Sequence, residues 1–409
     1  LKGEAMTRGP CERIDRRRVL ACAAGLLAAL SAGPGAATDF AAFLDGVAEE
    51  AIAAGVSRAT AVAALRGLDP DPRAIAASRR QSEFTRPFHA YVDAAVSAAR
   101  LRAGRAAVAG AERDLAFVER EFGVDRAVVS GIWGMESNFG RDMGDRDVIR
   151  SLASLASVGH RGGAARAELI AALVILDQGH VGRDGLVGSW AGAMGQTQFI
   201  PTSFLKYAVD ADGDGRKDIW SSRRDALASA AEHLKRDGWR SGLPWGFEVV
   251  LPDGFDFALA DRMDRHDFAA LARAGVTAPG GGRLPRGGAG GLFIPAGLPG
   301  PVFVVTDNFE VIRQYNTSDA YAVGVGHLGD RLFGGPGIAA PWPRDRAELD
   351  TEGLAELQRL LKARGFPMER IDGKLGWRTR RAVQAVQREW NETPDGHPTP
   401  AFLARLRGG

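Results

Sequence analysis

Cysteine is almost absent. The chain carries two, Cys11 and Cys22, both inside the first 37 residues. With that stretch removed, disulfides and thiol chemistry are excluded, a composition suited to an oxidising compartment where a free thiol is a liability. The apolar run at residues 19–32 is also too short for a membrane span, which needs about 20 residues. Nor does one sign of charge prevail, with 52 basic and 50 acidic residues. Residues 1–37 hold six basic and three acidic side chains, so their removal turns a formal charge of +2 into −1. A near-neutral chain offers no electrostatic case for binding nucleic acid. Alternating runs that would build a large sheet are missing too.

What is present at the start reads as an export signal, residues 1–37. Arg16, Arg17 and Arg18 supply a basic n-region, the apolar run follows, and small residues close the segment at Gly35, Ala36 and Ala37, the order of a secretory signal. The arginines just ahead of the apolar run resemble a twin-arginine signal; an ordinary secretory signal and a retained, uncleaved anchor are the alternatives. The expected location is periplasmic, with membrane contact only if the signal is retained. Leu20, Ala21 and Cys22 imitate a lipoprotein box, but most of the apolar run follows the cysteine instead of preceding it. Met6 is a second candidate for the true start.

A length of 409 residues exceeds one ordinary core and leads us to expect two or three domains. From residue 39 to about residue 250 the pattern is helical. Asp39 caps an amphipathic segment and Ser57 can cap the next. Leu115, Phe117, Val118 and Phe122 recur at helical spacing, and that segment stops at Gly123. Another helix begins near Asp125 and carries Val128, Val129, Ile132 and Met135; residues 168–176 and 225–234 read likewise. Residues 279–301, rich in Gly and Pro, read as a loop excursion rather than core, and residues 302–305 (VFVV) as a buried strand. Residues 334–347 read as a linker. Behind it Leu354, Leu357, Leu360 and Leu361 mark one helix, Ala382, Val383, Val386 and Trp390 a second, and Phe402, Leu403 and Leu406 a third. The expected fold is mainly α with a few short strands: a helical body over residues 38–333 and a small three-helix C-terminal domain over residues 348–409.

Three blocks carry candidate chemistry. In residues 131–140 (GIWGMESNFG) a helix rich in apolar residues bears one carboxylate, Glu136, next to its end. Lost solvation favours the neutral form of such an acid, and a protonated carboxylic acid near neutral pH is what glycosidic cleavage requires. In residues 189–204 (SWAGAMGQTQFIPTSF) small residues let the backbone approach a ligand closely, and the glutamines can hydrogen-bond sugar hydroxyls. The third block, residues 210–218, sets Asp210, Asp212, Asp214 and Asp218 at loop positions 1, 3, 5 and 9 with Gly215 at 6. That is the opening of an EF-hand loop, in which alternate carboxylates converge on a hard cation. Position 12 is Ser221 instead of Glu, so the loop is a candidate for weak, structural calcium binding.

The order and spacing of GMESNFG and AGAMGQTQFIPTSF resemble the lytic murein transglycosylases of the B type, over residues 40–332. The resemblance implies a lysozyme-like helical fold and cleavage of the MurNAc-β-1,4-GlcNAc bond without water, giving 1,6-anhydro ends; no cofactor is needed for that chemistry. It makes Glu136 the acid/base and places Ser189, Gln198, Tyr315, Asn316, Tyr321, Tyr91 and Arg161 against the sugars. Gln314 stands where the family usually has Arg, and Arg161 lacks the common second arginine beside it. Gln196 replaces a commoner Tyr, an exchange expected to alter a subsite. Asp225 is the nearest match to a later acid in the family's calcium loop. Residues 348–406 resemble a peptidoglycan-binding domain, a second grip on an insoluble polymer; peptidoglycan strands are thus the expected partner, and the sequence identifies no protein partner. Three readings stay open: the transglycosylase, a hydrolytic muramidase on the same fold, and a non-catalytic wall-binding protein. The last sits poorly with an intact block around Glu136.

Overall fold

The computed structural model describes residues 40–80 and 86–408, so the expected export signal lies outside the described residues. The described chain opens with α1 (Phe40–Ala53), α2 (Arg58–Leu65) and α3 (Pro72–Arg80), then α4 (Phe88–Ala95), α5 (Ala98–Gly110), α6 (Glu112–Phe122) and α7 (Arg126–Ser137). Strands β1 (Arg146–Asp147) and β2 (Val187–Gly188) pair antiparallel and enclose α8 (Val148–Ser157) and α9 (Ala164–Asp177). After α10 (Pro201–Tyr207) and α11 (Arg223–Arg236) come β3 (Gly246–Val249), β4 (His266–Asp267), α12 (Phe268–Arg273), β5 (Ala289–Phe293) and β6 (Val302–Val305). Helices α13 (Asp307–Tyr315), α14 (Asp319–Leu332), α15 (Thr351–Ala363), α16 (Trp377–Glu389) and α17 (Pro400–Gly408) complete the chain. The fold is mainly α, as expected. Among the described residues no helix is long and apolar enough to cross a membrane.

Two units divide the chain. The first takes described residues 40–80, 144–194 and 199–206. There α8 packs between α3 and α9, burying Ile149, Leu152, Leu169 and Leu173. Ser57 caps α2 as expected, accepting from the Thr60 amide, and its own hydroxyl donates to Asp177.

The second unit takes described residues 86–143, 195–198 and 207–408. Helix α6 starts with Glu112 and Asp114 in its first turn and ends at Gly123, whose φ of 68° lies in the left-handed region that glycine enters without steric cost. Asp125 caps α7, its carboxylate accepting from the Ala127 amide at 2.7 Å. The core joins Leu115, Val128, Ile132, Trp133, Leu227, Trp245, Phe309, Val325 and Leu328.

At its centre α7 and α14 lie backbone against backbone. A Cβ on Gly131 would sit 2.2 Å from the Val325 carbonyl oxygen, and one on Gly329 would sit 2.3 Å from that of Ala127. These two glycines set the spacing of the helices that carry Glu136 and Tyr321. Gly131→Ala is therefore expected to destabilise the protein by roughly 1–3 kcal/mol or more, the cost of overpacking an interior that cannot yield. Gly324→Ala on the same helix pair is the control, because its Cβ would meet only ordinary contacts from 3.4 Å outward. Denaturant unfolding of the two variants checks the difference.

The sheet runs β3-β6-β5-β4, all antiparallel, with Val249 opposite Val302 and Phe293 opposite Phe303. Residues 302–305 form the buried strand that the sequence suggests. Residues 279–301, however, are not simply a loop: β5 lies inside them as an interior strand, buried from Gly290 to Phe293. Its glycines serve close approach, since a Cβ on Gly291 would sit 2.2 Å from the Arg262 carbonyl oxygen. In this case composition misread a packing requirement as a turn signal.

The C-terminal helices enclose Leu354, Leu357, Leu361, Val383, Val386, Phe402, Leu403 and Leu406. Buried Gln358 braces the turn after α15, accepting from the Asp372 and Gly373 amides and donating to the Lys374 carbonyl. This module is docked within the second unit. Arg380 donates to the carbonyls of Ile294 and Pro295 at 3.0 and 2.7 Å, and Gln384 donates to that of Ala260 at 2.6 Å. Residues 334–347 are bound down as well: the Ala339 and Ala340 amides donate to Glu248, and Trp342 is buried.

Candidate active site

Glu136 is the penultimate residue of α7. The helix ends abruptly behind it, because Asn138 (φ 48°), Phe139 (φ 62°) and Gly140 (φ 78°) all enter the left-handed region. The side chain is half-buried: solvent reaches part of it, while dense protein surrounds the rest. Burial pushes the Glu136 carboxyl up from 4.5 to about 7, partly offset by a hydrogen bond from Tyr321. Tyr321, buried on α14, donates its hydroxyl to Glu136 Oε1 at 2.5 Å. Burial and the nearby Glu136 charge hold the Tyr321 phenol well above its ordinary range, so it remains a donor.

Tyr315, at the end of α13, donates to the Thr197 carbonyl at 2.8 Å. Its phenol is also pushed well up, first by burial and then by Glu136. Its ring stacks on His233 at 4.6 Å, and His233 stacks on Tyr207 at 4.0 Å. Asp237 fastens this stack, accepting from the Tyr207 hydroxyl at 2.8 Å and facing His233 Nε2 at 3.1 Å. Tyr91 on α4 feels the same acid: burial and the Glu136 charge raise its phenol. The chain has four tyrosines, and all four belong to this neighbourhood. Asn316 is exposed at the end of α13, its Oδ1 accepting from the Ser318 amide at 3.2 Å.

The second block divides between the units. In the first unit Ser189 closes a turn, its hydroxyl oxygen accepting from the Ala191 and Ala193 amides at 3.3 and 3.1 Å. Arg161 is exposed at φ 53° in the turn after α8, next to His160, whose ring meets Trp190 edge-on. Gln198 belongs to the second unit at φ 50°, and its amide nitrogen donates to the Met143 and Gly195 carbonyls at 3.0 and 2.9 Å. Gln196 departs from expectation. It is 6% exposed, with Oε1 accepting from Trp133 Nε1 at 2.9 Å and Nε2 donating to the Trp220 carbonyl at 3.2 Å. Its side chain is core, not a subsite wall.

In the acidic loop the carboxylates of Asp210, Asp212 and Asp214 are exposed, with oxygens within 4.8 Å of one another. Three hard oxygen donors so placed suit a cation such as calcium. Asp218 lies apart from that group and closes the loop's end, accepting from the Trp220 and Ser221 amides. Asp225 is also apart, fully buried at the start of α11, where it accepts from the amides of Ala211, Asp212 and Asp218.

Sequence reasoning missed the charges beneath the Asn316 turn. Arg313 pairs with Asp319 and Glu310, both at 2.7 Å, and donates to the Thr317 carbonyl at 3.2 Å. Arg262, 4% exposed, reaches the same Asp319 at 2.6 Å. The one local signal was Arg313 beside the unusual Gln314; Arg262 lies 57 positions from its partner and left none.

A family model described as a transglycosylase SLT domain matches residues 39–330, and one for a peptidoglycan binding domain matches residues 350–406. Membrane-bound lytic murein transglycosylase B of Escherichia coli (strain K12) is 33% identical over 220 residues, 52% of this chain and 58% of that protein. The chain thus spans under two thirds of this curated relative. SltB3 of Pseudomonas aeruginosa, solved with NAG-anhNAM-pentapeptide, is 47% identical at a TM-score of 0.85, over 90% of this chain and 99% of that one. The Escherichia coli lytic transglycosylase Slt35, solved with calcium, is 26% identical at a TM-score of 0.59, over 74% of this chain and 95% of that one. The helical body is therefore lysozyme-like, as in these transglycosylases.

Proposed function

The chain belongs to the SLT transglycosylase family, and we propose on that footing that it is a lytic murein transglycosylase of the B type. Its substrate is the glycan strand of peptidoglycan, cut at the MurNAc-β-1,4-GlcNAc bond. The observation that carries this reading is the single acid Glu136, half-buried, raised to about 7 and held by Tyr321. Glu136 is the one carboxylate in residues 131–140 and 189–204, whereas a hydrolase of the usual kind flanks the bond with two.

In the proposed sequence Glu136 gives its proton to the glycosidic oxygen as the bond to the anomeric carbon breaks. The substrate's own acetamido oxygen bonds to that carbon in place of a protein nucleophile. The sugar's 6-hydroxyl then attacks the same carbon, displaces the acetamido oxygen and returns its proton to Glu136, so no water is consumed. An attacking group already held on the substrate gains from proximity. Tyr321 steadies the carboxyl, and Tyr91, Tyr315, Asn316 and Gln198 of the same unit contact the sugars; Ser189 and Arg161, on the first unit, are proposed as further sugar contacts of that unit. We assign cleavage to residues 38–333 and wall attachment to residues 348–409, joined through residues 334–347, with the enzyme exported to the periplasm. Digestion of purified peptidoglycan tests the reading: products lighter by one water, ending in 1,6-anhydro sugar, are expected, and reducing ends would make the enzyme a muramidase.

Asp210, Asp212 and Asp214 would hold a structural calcium ion, with Asp218 and Asp225 shaping the loop behind them. The ion would neutralise clustered carboxylates and take no part in the chemistry. Calcium at about 10⁻⁴–10⁻³ M, the range of weak extracellular sites, is expected to raise the melting temperature, and a chelator to lower it. Asp212→Ala should remove the response; unchanged melting in wild type would refute the site.

A further inference from the structure

The structure gives position 196 an unusual load. All four polar groups of Gln196 are bonded. Beyond the side-chain bonds to Trp133 and Trp220, its backbone amide donates to the Ile219 carbonyl at 2.9 Å, and its own carbonyl accepts from the Ser137 hydroxyl at 2.7 Å. Trp133 and Ser137 stand three residues before and one residue after Glu136 on α7. Gly140 closes over the same amide, where a Cβ would come within 2.7 Å of Gln196 Oε1. Ser137 adds a further tie, accepting from the Gly140 amide at 3.0 Å. The last turn of α7 is thus bonded on both sides of the acid to one buried residue, which is itself anchored to residues 219 and 220.

We infer that Gln196 is a positioning residue for Glu136, acting through Trp133 and Ser137 to fix where the carboxyl lies and how dry it stays. The inference rests on the reading of Glu136 as the acid. A side-chain amide suits the task because it offers a donor and an acceptor at once, here to Trp220 and Trp133. A buried amide that loses one partner is costly, so the arrangement has little freedom to drift. The titratable groups that face Glu136 are Tyr321 on α14, Tyr315 on α13 and Tyr91 on α4, with Arg86 and Arg100 next to Tyr91. The tyrosines are all held upward, leaving Glu136 to govern the profile near neutrality.

The test compares wild type, Gln196→Met, Trp133→Phe and Glu136→Gln on soluble glycan fragments, following kcat, KM, the pH profile and thermal melting. Gln196→Met keeps the volume and removes the amide. Trp133→Phe removes the indole donor together with part of a buried ring, and serves as the second variant should the first fail to fold. Each is expected to lower kcat about tenfold with KM changed by no more than about twofold, a small misplacement of a reacting group. Each should also move the alkaline limb of kcat to lower pH, because a wetter Glu136 falls back from about 7 toward 4.5. Lower melting temperatures with kcat and the limb unmoved would make Gln196 merely structural and overturn the inference. A still active Glu136→Gln would overturn the functional reading as well; an inactive Glu136→Gln with an unmoved Gln196→Met overturns this inference alone.

Discussion

Glu136→Gln is expected to lose about 10²–10⁴-fold in the release of anhydro products, the usual contribution of a positioned general acid, and to melt at a higher temperature than wild type in alkaline buffer. Both effects come from the same feature. The carboxyl titrates at about 7 in the folded protein, against 4.5 ordinarily. A folded-state value above the unfolded one means that folding favours the protonated form. Its contribution to stability is fully present below 4.5 and disappears as pH rises through about 7. Above that range the buried anion costs on the order of 1–3 kcal/mol, allowing for its partial exposure. Glutamine is neutral throughout and its oxygen can still accept from Tyr321. Melting curves at about pH 4 should therefore coincide and those at about pH 8 diverge, while mass analysis of digests reads the lost chemistry. Equal melting at both values would mean that the acid is not desolvated.

Tyr321→Phe should shift the profile the other way. The phenol's hydrogen bond lowers Glu136 within its raised range, so removing it raises the acid further and moves the alkaline limb of kcat to higher pH. Turnover should still fall about tenfold, because the carboxyl loses the group that holds its orientation. The opposite displacements expected of Tyr321→Phe and Gln196→Met separate a lost hydrogen bond from a gained water. A limb that moves down in Tyr321→Phe would show that the phenol dries the site more than it bonds the acid.

Local chemistry was legible in the sequence wherever it decides the structure. The ends of α6 and α7 were marked by Gly123 and Asp125, and VFVV at residues 302–305 was apolar enough to announce a buried strand. Glu136 stood out as a lone carboxylate among small and apolar residues, but a solvated helix-end Glu fits that window too, and it was the resemblance of the paired blocks that made it the candidate acid. Interactions over distance left weaker traces. Strand β5 was hidden by glycines that a neighbouring strand and the Arg262 backbone require, and composition cannot separate that need from a turn. Gln196 looked like a polar wall residue because the sequence gives no sign of Trp133 and Trp220 closing on it from either side. The Asp225 carboxylate read as a ligand of the acidic loop, whereas its bonds go to the loop's amides, a distinction that depends on which way the side chain turns.

The scarcity of tyrosine has a practical corollary. Fluorotyrosine incorporation would give four fluorine resonances, one for each tyrosine, with no background from elsewhere in the fold. Tyr91, Tyr315 and Tyr321 would sense the charge on Glu136 directly, and Tyr207 is joined to Tyr315 through the stacked His233 ring. Titrating such a labelled sample would read the acid's protonation from its surroundings, in the resting enzyme and without any substrate.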